Sequence, residues 1–167
     1  PTKSKKTISE IFEEFLDAHE ARLSPKTLGK YETIIHLFTS YLESYWPGHD
    51  QDEYNRTTDQ GGTFCGTFGP GEITGGYSEF LGYFIPNKVM CGKETMQAAG
   101  TVTKKLAKWL AEKGYVEDAG AAVERASEAV KDLPAAQDVL DLLDDYVAIH
   151  APDNYEDEIE DHFWINK

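Results

Sequence analysis

Residues 24–46, SPKTLGKYETIIHLFTSYLESYW, restrict the fold of this chain more than any other stretch. Ser24 can accept a hydrogen bond from a backbone N–H of a first helical turn, and Pro25 suits the first helical position, where no N–H is needed. Apolar side chains then recur at steps of three or four, at Leu28, Tyr31, Ile35, Phe38, Leu42 and Tyr45. Four more widen this face, namely Ile34, Leu37, Tyr41 and Trp46. The pattern predicts a long helix that must be covered on more than one side.

Helical patterns flank this stretch on both sides. Residues 7–23 predict a first helix that begins with the capping-box pair Thr7 and Glu10, and the short turn before Pro25 predicts an αα-hairpin. Residues 73–89 predict a third helix, with Thr74 as its N-cap and Pro86 as its end or bend. Residues 91–114 predict a fourth, with Gly114 as the C-terminal cap. Its expected buried face consists of Met96, Ala99, Val102, Leu106, Trp109 and Leu110. These patterns together indicate an all-α fold.

The remaining segments are less regular. Residues 47–72 are rich in Gly, Asp, Asn and Thr, and we expect a long loop there, with at most a short helical turn near Asp52. Residues 117–151 predict an acidic helical hairpin whose second helix begins at Pro134. The apolar face of that second helix is expected at Val139, Leu140, Leu142, Leu143, Tyr146, Val147 and Ile149. Residues 152–167 form an acidic tail, which we interpret as leading into a further domain.

The formal net charge of −14 is spread unevenly along the chain. Residues 114–167 carry 3 basic and 15 acidic side chains, whereas residues 87–113 carry 6 basic and 2 acidic ones. In the fourth predicted helix, Lys104, Lys105, Lys108 and Lys113 lie off the apolar face. This pattern has two interpretations: an ordinary solvated lysine face, which is the commoner case, or a face that contacts phosphate.

The sequence offers no catalytic or metal-binding motif. Cys65, Cys91 and the scattered histidines lack the spacing of zinc ligands, and the acidic runs lack the spacing and turn glycine of a calcium loop. No phosphate-binding loop or nucleophile elbow is present, so we expect no enzyme, no cofactor and no metal. No apolar run reaches about 18 residues, so we expect no membrane span. The two cysteines form no disulfide framework, which is typical of a cytoplasmic protein.

Several of these segments resemble the N-terminal core-binding, SAM-like domain of tyrosine recombinases and phage integrases. The resemblance covers residues 7–116 and rests on ISEIFEEFLDAH, LSPKTLGKYETIIHLFTSYL, EITGGYSEFLGYF and ETMQAAGTVTKKLAKWLAEKGYV. Thr27 and Tyr31 have the spacing of that family. The resemblance implies an orthogonal bundle of four to five helices, here followed by two further helices. In integrases such a bundle lies against duplex DNA while a separate C-terminal domain cuts it.

The resemblance also implies which residues meet DNA. The candidate phosphate contacts are Lys26, Lys30, Lys104, Lys105 and Lys108. No catalytic residue carries over, because the family's catalytic domain needs two Arg, a Lys, His residues and a nucleophilic Tyr, whereas Arg125 is the only Arg after Val116. The predicted function is a non-catalytic DNA-binding module. The alternative is a helical protein-interaction or regulatory domain that does not bind DNA, because the acidic last third departs from the family and could cover a basic face.

Overall fold

The computed structural model describes residues 6–46, 51–89 and 92–150. No residue in these ranges lies in a β-strand, so the predicted all-α class is confirmed for them. Contacts divide the chain into two compact units, Pro1–Pro134 and Ala135–Lys167. The helices are α1 (Ile8–Glu20), α2 (Pro25–Ser44), α3 (Gln51–Asp59), α4 (Phe64–Thr67), α5 (Gly71–Gly75), α6 (Tyr77–Glu79), a π-helical segment (Phe80–Phe84), α7 (Ile85–Lys88), α8 (Lys93–Glu112) and α9 (Gly120–His150).

The first two helices begin where the sequence predicts. Thr7 accepts a hydrogen bond from the Glu10 N–H, and the Glu10 carboxylate accepts one from the Thr7 N–H at 2.8 Å, which completes the capping box. Ser24 accepts from the Thr27 N–H at 3.3 Å, with Pro25 at the first helical position. These caps satisfy N–H groups that have no partner inside the helix, so they fix where each helix starts.

The core of the first unit surrounds α2, which packs against α1, α4, α8 and the π-helical segment. The buried side chains of α2 are Tyr31, Ile34, Ile35, Phe38, Tyr41 and Leu42. Phe38 has no exposed surface, and its ring contacts those of Phe12, Tyr41, Tyr77 and Phe80. Burying large rings removes much apolar area from water, so α2 is the element on which this unit depends.

The loop predicted at residues 47–72 is wrong in part. The helical turn considered near Asp52 is present as the longer helix α3, and α4 also lies within this segment. Tertiary contacts explain the difference. Glu43 of α2 accepts hydrogen bonds from the N–H groups of Phe64 and Cys65, each at 2.8 Å, at the start of α4. Tyr54 of α3 packs on the Phe64 ring and donates to the Glu43 carbonyl. These hydrogen-bond partners lie more than ten residues apart in sequence, so no local sequence pattern predicts the contacts. Residues 47–50 lie outside the described ranges.

The predicted third helix is present but interrupted. It begins at Gly71, after Pro70, so the prediction of Thr74 as the N-cap is wrong. Pro86, predicted as the end or bend of this helix, lies in α7 and directly follows a π turn, in which the Ile85 N–H donates to the Phe80 carbonyl, five residues back. Proline has no N–H, so the ordinary helical ladder cannot continue through Pro86. In this segment, Phe80, Leu81 and Phe84 are all buried in the core.

Helix α8 ends as the sequence predicts. Gly114 has a φ of +73°, a left-handed conformation that favours glycine. Its N–H donates to the Ala111 carbonyl at 3.0 Å, and the Tyr115 N–H donates to the Leu110 carbonyl at 2.9 Å. This pair of bonds is a Schellman motif, and it turns Tyr115 back onto Trp109. All six residues predicted for the buried face of α8 are buried.

The predicted hairpin at residues 117–151 is wrong, because α9 is one helix that continues through Pro134. The residues on both sides of Pro134 are rich in Ala and Leu, which favour helix. In the first unit, α9 buries a face made of Ala122, Ala126, Ala129 and Leu133.

The apolar face predicted for the second half of α9 is contradicted at two positions, because Val139 and Leu142 are exposed. The other predicted members of that face, Leu140, Leu143, Tyr146, Val147 and Ile149, lie outside the described side chains. The acidic tail at 152–167 lies outside the described residues. Within the described ranges, no helix is both long enough and apolar enough to cross a bilayer.

Candidate anion-binding surface

Three hollows follow one another along α8. The first, of about 270 Å³, lies between the first halves of α2 and α8 and is lined by Lys26, Lys30 and Glu94 among others. The second, of about 220 Å³, is also lined by Lys30 and Glu94, and it adds Lys105. The third, of about 410 Å³, lies between the ends of α1 and α8, and Lys105 lines it as well. The hollows form one row, because each shares a lysine with the next.

Cations line this row from end to end. We call them the basic strip; they are Arg22, Lys26, Lys30, Lys105, Lys108 and Lys113. They come from the turn after α1, from α2 and from α8 with its C-terminal cap. Along α8, the row extends from Glu94 to Lys113, a rise of about 28 Å at 1.5 Å per residue. Helices distant in sequence therefore place their basic residues along one surface.

Four of the five predicted contact residues lie in the basic strip, and Lys104 does not. Lys104 is partly buried and lines none of the three hollows. It lies one turn after Gly100, where a Cβ atom would be 2.8 Å from Val130 of α9. Residues four apart share a helix face, so Lys104 lies on the side of α8 that meets α9.

Sequence reasoning missed Arg22 as a member of the strip. It included Lys113 in the lysine face of the fourth predicted helix but not among the five candidate phosphate contacts. Arg22 lies in the short turn between α1 and α2, so the predicted αα-hairpin already placed it near α2. Lys113 directly precedes Gly114, and the helical pattern identified it only as lying off the apolar face. It follows Lys105 by eight residues, a spacing that keeps two side chains near one helix face, and this signal could have added it to the candidate phosphate contacts.

Two carboxylates neutralise part of the strip. Lys30 Nζ lies 2.6 Å from Glu94 Oε1. The hydrogen bond from Lys30, with a smaller contribution from the charge of Lys26, lowers the pKa of Glu94 below its ordinary value of 4.5. Lys113 Nζ lies 3.4 Å from Glu14. For Arg22, Lys26, Lys105 and Lys108, no carboxylate oxygen lies within 4.0 Å among the residues that the structure describes. These four cations are the ones available to an anionic ligand.

Buried aromatic rings support the cations from below. The Nζ atom of Lys105 lies 5.5 Å from the centre of the Tyr31 ring, and that of Lys113 lies 5.5 Å from the centre of the Trp109 ring. Both rings are buried, so they hold ammonium groups in place and offer little face on which a nucleic-acid base could stack. The chemistry of the strip is therefore recognition of charge.

The half-buried His19 is one of the residues that line the third hollow. Its Nδ1 lies 2.7 Å from the Phe15 carbonyl oxygen. A carbonyl oxygen only accepts hydrogen bonds, so Nδ1 carries the proton. His19 therefore combines the packing role of a residue on an apolar helix face with a position at the hollow.

Glu14 fastens the end of α8 to α1. It accepts hydrogen bonds from Lys6 at 2.6 Å and from the Tyr115 hydroxyl. These bonds, with the Lys6 bond contributing most and Lys113 adding a smaller effect, lower the pKa of Glu14 to about 2. Because Tyr115 belongs to the Schellman turn, Glu14 links that turn to α1 and so helps to position the third hollow.

Known proteins give no further guide to this surface. No family model, curated protein or solved structure matches the chain. In residues 6–46, 51–89 and 92–150, no group of three or more His, Cys, Asp or Glu side chains could hold a metal ion. The basic strip is therefore the feature of the described residues from which a function is best argued.

Proposed function

We propose that this protein is a cytoplasmic, non-catalytic module that binds duplex DNA through the basic strip. The observation that carries the proposal is the alignment of Arg22, Lys26, Lys105 and Lys108, none of which has a carboxylate partner within 4.0 Å among the described residues. The resemblance to the core-binding domains of tyrosine recombinases supports it, because those domains lie against duplex DNA as helical bundles.

The length of the strip suits a stretch of duplex. Phosphates follow each other about every 3.4 Å of rise along one strand, so a row of about 28 Å spans roughly eight of them. If four cations each neutralise one phosphate, the logarithm of the binding constant should fall with the logarithm of salt concentration with a slope of about −3.6. Contacts of this kind do not depend on base sequence, so we expect binding without sequence preference.

The net charge of −14 does not prevent such contacts. At about 0.1 M salt, interactions between exposed charges decay over about 10 Å. A phosphate in the strip therefore responds mainly to the cations beside it, while more distant carboxylates contribute little. The excess acidity is expected to slow association at low salt, where screening is weak.

A titration of the full chain against a fluorescent duplex of about 12 base pairs, at about 50 and 200 mM salt, tests the proposal. The double variant Lys105→Glu/Lys108→Glu should lose binding. The matched control is Lys88→Glu/Lys131→Glu, which changes the net charge equally at lysines that line none of the three hollows. It should bind like the parent. Absence of salt-dependent binding by the parent, or equal losses in both variants, would favour the helical protein-interaction alternative.

A further inference from the structure

We infer that the third hollow is a pocket for a phosphomonoester, the group found at the 5′ end of a nucleic-acid strand and on a free nucleotide. At about 410 Å³, this hollow falls in the size range of small-molecule sites, which begins near 300 Å³. The first two hollows, of about 270 and 220 Å³, are smaller and share Glu94. The third hollow is thus the one of the three with the most room for a phosphate group.

The charges around this hollow favour a dianion. Arg22, Lys105, Lys108 and Lys113 line it, together with the carboxylate of Glu112. A phosphodiester carries one negative charge, whereas a phosphomonoester carries close to two at neutral pH. Several cations around one concave space therefore distinguish the two groups more strongly than a flat row of cations does. Arg22 can add a forked pair of hydrogen bonds that a lysine cannot.

The lining is expected to bind the phosphate group without contacting the base. Lys113 is shared with Glu14 and the Trp109 ring, so Arg22, Lys105 and Lys108 are the cations free to bind. The Trp109 ring is buried, so it presents little surface for base stacking. Affinity should depend on the terminal phosphate and be similar for all four bases.

The role of the pocket in holding a strand end rests on the proposed DNA-binding function. A pocket at one end of the basic strip would hold a strand end and fix where the duplex lies along α8. Binding of a free nucleotide, in contrast, needs only the hollow.

Two duplexes of identical sequence, with and without 5′ phosphates, test the pocket with the full chain, and adenosine 5′-monophosphate and adenosine serve as competitors. We expect the phosphorylated duplex to bind about tenfold more tightly, as for one additional charged hydrogen bond. Arg22→Gln should remove this preference, and it should weaken the unphosphorylated duplex only by the loss of one phosphate contact of the basic strip. Lys26→Gln, at the other end of the strip, should weaken both duplexes equally. Glu112→Gln should increase the preference, because it removes a negative charge from the lining.

The outcomes of these experiments distinguish the phosphomonoester pocket from DNA binding by the basic strip. Equal binding of the two duplexes, or a preference that survives Arg22→Gln, would overturn the pocket and leave the DNA-binding proposal standing. Competition by adenosine 5′-monophosphate but not by adenosine would support the pocket. If the nucleotide binds and no duplex does, the pocket stands and the DNA-binding proposal fails. Thermal unfolding of Arg22→Gln should match the parent, because the Arg22 side chain is exposed.

Discussion

Lys105 holds its ammonium nitrogen 5.5 Å from the centre of the Tyr31 ring. The contact joins α8 to α2 at a residue that lines both the second and the third hollow. Its neighbour Lys104 is partly buried and lines neither. Two adjacent lysines thus differ in burial and in the surface that they line, because α8 presents them in different directions.

Single substitutions at this pair test which lysines belong to the site. Lys105→Gln should weaken duplex binding about threefold to tenfold and reduce the salt slope by about 0.9, because one phosphate contact is lost. Lys104→Gln carries the same change of charge and should have a much smaller effect. Anisotropy titrations over a range of salt concentrations measure both quantities. Equal effects would show that overall charge, and not the basic strip, controls binding.

The hydroxyl groups of two buried tyrosines should contribute differently to stability. Tyr77 donates to the Thr103 carbonyl at 3.0 Å, whereas the Tyr31 hydroxyl is buried with no hydrogen-bond partner among the described residues. Tyr77→Phe should lower the free energy of unfolding by about 1 kcal/mol. Tyr31→Phe should leave it unchanged or raise it by up to about 1 kcal/mol, because a buried polar group without a partner is costly. Urea denaturation measures both; a large loss in Tyr31→Phe would contradict this assignment.

Glu43 should be essential for the segment that the sequence predicts as a loop. Its carboxylate accepts two backbone hydrogen bonds at the start of α4, from Phe64 and Cys65. Glu43→Gln should lower the free energy of unfolding by about 2 kcal/mol, since bonds to charged groups are the stronger ones. Glu32→Gln, at an exposed position of the same helix, is the control and should change it by less than about 0.5 kcal/mol. Hydrogen exchange at Phe64 and Cys65 should accelerate in the first variant alone.

The ion pairs of Glu14 should make stability depend on pH. The pKa of Glu14 is lowered from 4.5 to about 2, chiefly by the hydrogen bond from Lys6. A carboxyl group with a lowered pKa in the folded state stabilises the fold above its unfolded pKa and loses this effect as pH falls. Glu14→Gln should therefore melt at a lower temperature than the parent at pH 7, and the difference should shrink as pH falls from about 4.5 to 2. A constant difference would exclude ionisation of Glu14 as the cause.

Two glycines in long helices should respond in opposite directions to alanine. At Gly29 of α2, a Cβ atom meets nothing within 4 Å, so Gly29→Ala should raise the free energy of unfolding by about 0.5–1 kcal/mol. At Gly100 of α8, it would lie 2.8 Å from the backbone nitrogen of Val130. Because backbone atoms cannot easily move aside, Gly100→Ala should lower the free energy of unfolding by about 1–3 kcal/mol. Stabilisation by both variants in thermal unfolding would contradict the close packing of α8 on α9.

The sequence predicts the parts of the fold that local rules control. The long helices have strong periodicity, and their ends are marked by Thr7, Ser24 and Gly114, whose capping chemistry acts within a few residues. Helices α3 and α4 have no such period, because Glu43 and Tyr54 stabilise them through distant contacts. The continuation of α9 through Pro134 also went unpredicted, since a proline is usually a boundary.

The candidate site was predictable in part. Charge and periodicity place Lys105 and Lys108 off the buried face of α8, but they do not distinguish Lys104, which faces α9 only because α9 packs at Gly100. Arg22 was missed because it lies at the end of the first predicted helix, and nothing in the sequence places that end beside the fourth predicted helix. Membership of the site depends on which helices pack together, and a single sequence leaves that open.

Because neighbouring hollows share lysines, anions bound in them depend on the same positive charges. One ammonium group cannot neutralise two anions fully at the same time, and Lys105 lines two adjoining hollows. An anion in either hollow therefore lowers the affinity of the other for a second one, which is negative cooperativity between neighbours. Separate small anions would therefore bind to neighbouring hollows with reduced affinity. A continuous polyanion, whose charges are already held together, would avoid part of this loss of affinity.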